Sequence, residues 1–241
     1  MLRIILLSTI ILISSNLNAQ GILSTVGGKL YIGMSAGSSF PLSSFGDNDP
    51  QSERSGYAKT GYLIELNGGI RLLNLFEISV TGFRNSNSTD LSNLVTSINN
   101  DNPGANLTGG SDSWEIYGFL GGIGISFPLP EKFIADIRVL GGYQNTSSPE
   151  ISLTGDNQDT YVNIEGKTVS SPVYLSSLSV RYPILNALYL SAGFQYIASS
   201  AKFENVNQKI SIDGEISEST ISFDRSMDAW GLNVGLKYFI L

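Results

Sequence analysis

Seven charged side chains recur at one parity of the chain's alternating segments: Glu65, Arg71, Glu77, Asp136, Arg138, Arg181 and Lys237. Their companions on that face are mostly Gly and Ser. Most of the seven lie within a few residues of a short connection. Carboxylates and cations set together in this way can do one of two things. They can neutralise one another in a buried network, because an unpaired buried charge is very costly. Or they can exchange partners and so gate a narrow water path. Arg71 and Glu77 flank one turn with matching parity, which sets them opposite or diagonal across a strand pair. Gly122 and Gly124 are expected to oppose Arg138 and Asp136, leaving space for the long guanidinium.

Other chemistry has little to work with. The sequence contains no His and no Cys. That removes imidazole bases, thiolate nucleophiles and most zinc or iron ligand sets. Asp and Ser pairs occur, but only at the density any Asn/Ser/Asp-rich loop has. The expectation is therefore no enzyme, no catalytic residues, no cofactor and no metal site. The net charge of −7 argues against nucleic acid, since phosphate binding needs clustered Lys and Arg. The acidity sits in four polar stretches and includes Asp47, Asp49, Asp90, Asp112, Glu150, Glu165, Glu215 and Glu218. Hydration accounts for it, and none of these runs has the spacing of a calcium loop.

The elements that position these residues read as strands, because apolar and small residues alternate with a period of two. Eight such segments are expected: about Leu30–Phe40, Tyr57–Arg71, Phe76–Arg84, Trp114–Phe127, Phe133–Gln144, Val173–Tyr182, Leu188–Ala198 and Trp230 to the end. Connections alternate in length. Short ones lie near Leu72–Leu75, Pro128–Lys132 and Leu185–Ala187. Long ones cover Pro41–Gly56, Asn85–Asp112, Asn145–Ser171 and Ser200–Arg225. Within the long ones, Lys202–Phe223 reads as a hairpin around Asp213-Gly214, and Tyr161–Val169 has similar alternation.

Aromatic residues end the apolar faces on both sides. Phe76, Phe127, Phe133, Tyr182 and Tyr238 lie beside the short turns, and Phe119, Tyr143, Tyr174, Tyr196 and Trp230 lie toward the long loops. Along the later strands the two sets are about 8 to 10 residues apart, or roughly 20 to 25 Å in a tilted strand. This is the height of a lipid-facing band between two aromatic girdles. The pattern predicts an all-β protein: an eight-stranded antiparallel up-and-down transmembrane β-barrel with short periplasmic turns and long extracellular loops.

The first 19 residues differ in kind. Arg3, an apolar run from Ile4 to Ile13, a polar stretch and Ala19 have the layout of a secretory signal peptide. About ten apolar residues are too few to span a bilayer. The division is thus 1–19 signal peptide and 20–241 barrel.

The chain ends Asn233-Val234-Gly235-Leu236-Lys237-Tyr238-Phe239-Ile240-Leu241. Asn233, Gly235, Tyr238 and Ile240 resemble the terminal assembly signal of outer-membrane proteins, with Ile240 where Phe is usual. The resemblance implies insertion by the barrel-assembly machinery. With the strand pattern, the chain resembles the small OmpA/OmpX-like barrels and the porin-family barrel domain of Bacteroidetes. No peptidoglycan-binding domain follows the last strand, so cell-wall anchoring is not implied. The resemblance implies residence in the outer membrane of a Gram-negative bacterium, contact with outer-membrane lipid, and a structural or adhesion-like role through the acidic loops toward a surface protein. The alternative is a narrow gated channel, or a transporter of small solutes or apolar molecules. Inward Leu63, Leu120, Leu140 and Leu175 leave the apolar route open.

Overall fold

Alternation becomes architecture because successive side chains of a strand point to opposite faces. The computed structural model describes residues 28–240 except 53, 74, 103, 105, 157, 158 and 213. The segment 1–19 expected to be a signal peptide, with Glu53, Asp213 and Leu241, lies outside the described residues. In chain order the strands are β1 (Lys29–Pro41), β2 (Gly61–Leu72), β3 (Phe76–Asn87), β4 (Thr108–Ser111), β5 (Trp114–Pro128), β6 (Ile134–Ser147), β7 (Ile151–Thr154), β8 (Tyr161–Ile164), β9 (Thr168–Pro183), β10 (Leu188–Ile212), β11 (Glu215–Ser226) and β12 (Ala229–Ile240). Two helices lie in the loops, α1 (Ser43–Gly46) and α2 (Ser92–Asp101).

Eight of these strands close a ring in the order β1-β2-β3-β5-β6-β9-β10-β12, with β12 paired to both β10 and β1. Every pairing is antiparallel. Stepping across paired residues from Lys29 through Arg71, Glu77, Gly124, Arg138, Ser177, Gln195 and Gly231 returns to β1 at Ser39, ten residues along. A stagger of ten over eight strands requires a tilt of about 40° and leaves an interior that side chains can fill.

The outer face of the ring is apolar and open: Ile32, Met34, Leu66, Ile78, Phe119, Ile123, Val139, Leu178, Leu232 and Val234 are all exposed. A continuous apolar belt of this extent suits lipid, not water. Phe133 and Tyr182 meet at the turn end with ring centroids 5.0 Å apart, and Phe194 packs on Trp230 at 4.2 Å toward the loop end. The turns are short and strained in places: Leu73, Glu131 and Lys132 take left-handed backbone, with φ of 53°, 58° and 70°.

At the other end the long connections are far more ordered than the sequence suggests. The seventh ring strand does not stop near Ala198. β10 continues to Ile212 and pairs with β11, so Lys202–Phe223 does fold as a hairpin. Tyr161–Val169 does not fold on itself: β8 pairs with β7 and β10, whereas Thr168 and Val169 already belong to β9. Together β4, β7, β8, the upper part of β10 and β11 form a second antiparallel sheet over the ring. α2 was not anticipated. It begins where Asp90 Oδ1 accepts the Ser92 backbone N–H at 3.1 Å and its hydroxyl at 2.7 Å.

Candidate functional site

All seven charges at the recurring parity are buried inside the ring, but they do not form one network. Five do. Asp136 Oδ2 lies 2.9 Å from Arg181 Nη1 and 3.7 Å from Lys237 Nζ, and its Oδ1 lies 3.6 Å from Arg71 Nη2. Glu77 Oε2 lies 3.3 Å from Arg71 Nη2 and 3.7 Å from Lys237 Nζ. Tyr31 donates its hydroxyl to Glu77 Oε1, and Ser126 Oγ donates to Asp136 Oδ1 at 2.7 Å. Aromatic rings close the turn end beneath this layer. Arg71 and Arg181 lie 4.6 and 5.2 Å from the Phe239 ring centre, and Lys237 lies 4.3 Å from that of Tyr31. Phe239 and Tyr189 were missed in the sequence, although each shares parity with an inward neighbour, Lys237 or Ser191.

Arg138 and Glu65 stand apart. The expected pairing was two residues out of register: Gly124 faces Arg138, Ser126 faces Asp136, and Gly122 faces Leu140. The serine at the Asp136 level supplies a hydrogen bond where a glycine could not. Arg138 makes no ion pair among the described residues; its Nε donates to Ser177 Oγ at 3.2 Å, and its Nη1 has no hydrogen-bond partner. Glu65 accepts from Ser35 Oγ at 2.9 Å and from Asn233 Nδ2 at 3.2 Å, and no cation among the described residues pairs with it.

Above these polar layers the interior turns apolar. Leu63, Leu120, Leu140 and Leu175 are at most 1% exposed and join Phe83, Ile116 and Val173 in a single buried cluster. The first long loop completes it: α1 carries Phe45 into the mouth of the ring, edge-on to Trp114 at 5.7 Å, and Trp114 meets Phe203 at 5.9 Å. Trp114 Nε1 donates to the Gly56 carbonyl at 2.9 Å and pins the loop there. The lumen is thus filled at two levels, by ion pairs below and by an aromatic cap above.

The terminal residues have structural work of their own. Asn233 joins Glu65 to Gln195, whose Oε1 accepts from Asn233 Nδ2 at 3.1 Å. A Cβ on Gly235 would sit 2.3 Å from the Met34 carbonyl oxygen. Tyr238 and Ile240 face outward on the belt.

The outer sheet ends on β11. Ile212 pairs with Glu215 across the tight turn, and Gly214 there has φ 83°. Backbone groups of an antiparallel edge alternate between bonding inward and pointing away. Glu215, Ser217 and Ser219 therefore bond to β10, and Ile216, Glu218 and Thr220 turn their N–H and C=O outward. Residues 215–220 are all exposed, and among the described strands only β10 pairs with β11.

No family model and no curated protein sequence matches this chain. Solved structures do. The outer membrane protein OprG from Pseudomonas aeruginosa superposes with a TM-score of 0.52 at 9% identity, covering 88% of this chain and 96% of that one. Neisserial surface protein A (NspA) superposes with a TM-score of 0.50 at 13% identity, covering 87% and 96%. The fold is therefore that of the small outer-membrane β-barrels.

Proposed function

We propose that this protein is a non-enzymatic barrel of a Gram-negative outer membrane with a structural or adhesion-like role at the cell surface, exerted through its outer sheet and acidic loops. The observation that carries this reading is the exposed β11 edge standing over a filled lumen. An open edge can add a strand from a partner through main-chain hydrogen bonds, and the partner would be an extended segment of a surface protein. Export by a cleaved signal peptide, and insertion by assembly machinery reading Asn233, Gly235, Tyr238 and Ile240, belong to the same reading. Proline at an outward-pointing edge position leaves the ladder to β10 intact. Glu218→Pro and Thr220→Pro should therefore give folded barrels whose host cells lose adhesion. Unchanged adhesion in both would rule out strand addition at this edge.

One observation favours a narrow gated channel instead. Arg138 Nη1 and Arg181 Nε and Nη2 are buried without hydrogen-bond partners, so alternative pairings have donors ready. Single-channel recordings in planar bilayers, with Glu77→Ala and Arg138→Ala alongside, separate the two readings. Silence in all three fits a packed interior; discrete openings altered by either substitution would make the charge cluster a gate.

A further inference from the structure

Glycine in this barrel follows two rules, and one of them is not explained by the fold. Several inward glycines are sterically obliged: a Cβ on Gly122 or Gly142 would lie 2.2 or 2.1 Å from a neighbouring strand's carbonyl oxygen. Four glycines on the outer face are not. A Cβ on Gly68 would find nothing nearer than 3.5 Å, on Gly82 and Gly121 nothing nearer than 4.0 Å, and on Gly141 only the Tyr174 ring at 3.7 Å. Large apolar residues are both the better strand formers and the usual lipid-facing ones, so these four positions forgo stability that the backbone would allow.

They also cluster on neighbouring strands. Gly121 pairs with Gly141, Val80 lies between Gly68 and Gly121 in the same row, and Gly82 is two residues above Val80 on the same face. Gly68 and Gly82 line apolar grooves in the belt, and with the bare backbone at Gly121 and Gly141 beside them they make a depression interrupted by the Val80 side chain.

At the upper end of that depression stands Arg84, two residues beyond Gly82 and on the same face. It is the sole basic residue on the outward faces of β2, β3, β5 and β6; below its row every outward position of these strands is apolar, aromatic or glycine, and Asn145, Ser86 and Glu115 are among the polar residues of that parity at its own end. Tyr117 and Tyr143 flank it at the same groove. Glu115 Oε2 holds the guanidinium through Nε at 3.1 Å and Nη2 at 3.0 Å, while Ser86 Oγ occupies the other carboxylate oxygen at 2.6 Å. Arg84 is thereby oriented, with N–H groups to spare, at the level where lipid headgroups begin. A guanidinium at that depth suits a phosphate.

We infer that this face binds one phosphorylated glycolipid of the outer leaflet, with an acyl chain laid in the glycine depression and a phosphate on Arg84. The site depends only on the outer-membrane placement and is independent of the β11 edge. The test is native mass spectrometry of the protein refolded in detergent and titrated with diphosphorylated lipid A. The wild type should retain a single adduct. Arg84→Gln should weaken retention about tenfold, and Gly82→Leu/Gly121→Leu should do the same while the barrel keeps its heat-modifiable gel mobility. Gly68→Val is a second filling variant, should the double variant fold poorly. Full retention by the filling variants would overturn the site. So would equal retention of zwitterionic phosphatidylcholine by the wild type. Equal, Arg84-dependent retention of phosphatidylglycerol would replace the glycolipid with a glycerophospholipid. Dimers in place of adducts, lost on filling the depression, would make the occupant a second copy.

Discussion

At the scale of single residues, the two kinds of buried charge should behave oppositely. Asp136 touches three cations, so Asp136→Ala strands Arg181 in the interior and should cost roughly 3–5 kcal/mol. Arg138 has no ion pair, and an apolar residue of similar volume avoids the desolvation cost; Arg138→Met should change stability by about 1 kcal/mol or less. Urea unfolding of the two variants in lipid vesicles gives the comparison, and similar losses would mean that Arg138 is paired after all. Parity in the sequence was enough to list the seven residues. It was not enough to say which would pair, because pairing depends on register. The register is set by a turn at Pro130–Lys132 whose left-handed Glu131 and Lys132 carry no glycine signal.

At the scale of elements, the first loop is a folded cap and should respond as one. Gly56 N–H bonds to the Ser44 carbonyl at 2.7 Å and Ala58 N–H to that of Phe45 at 3.0 Å. Phe45→Ala removes the side chain that anchors both, so hydrogen exchange at Gly56 and Ala58 should quicken while ring amides stay protected. The second loop carries a pH signature. Lys59 and the Ser92 hydroxyl and backbone N–H hold the Asp90 carboxyl down to about 2. A depressed carboxylate contributes above its unfolded value near 3.9 and loses that contribution as pH falls through about 2. The start of α2 should thus stay tied at pH 5 and loosen toward pH 2, by a modest amount since the pair is solvent-exposed. A carboxyl titration by NMR should place Asp90 well below the usual aspartate range; an ordinary midpoint would dissolve the link to Lys59. α2 itself was hidden in the sequence because its turns hold mostly Ser, Asn and Thr. Only Leu94, Val95, Ile98 and the terminal Asp101 break that run.

At the scale of the whole molecule, ring order and orientation of the faces were legible because a two-residue period and alternating connection lengths are local signals. The outer sheet was not. β8 meets β10 across 44 to 50 residues of chain, and nothing in either segment names the other. The cap escaped for the same reason: Phe45, Trp114 and Phe203 come from three separate stretches. The steric rule for glycine makes a paired prediction at this scale. Gly142→Ala should impair folding into vesicles, whereas Gly82→Ala should fold as readily as the wild type, and equal folding yields would contradict the contact distances.

β10 runs for 25 residues, with one bulge between Phe203 and Val206, on the order of 80 Å of strand. Less than half of that length is needed to cross lipid. The remainder lifts Gly214 roughly 30 Å beyond the rim once the tilt is taken into account, and nothing lies within 4 Å of where a Cβ on that residue would be. Whatever approaches the cell, whether an antibody or a virus particle, meets this tip before it meets the barrel. A short epitope spliced in at Gly214 would be carried like a flag on a stiff mast, readable on intact cells and indifferent to what the ring below is doing.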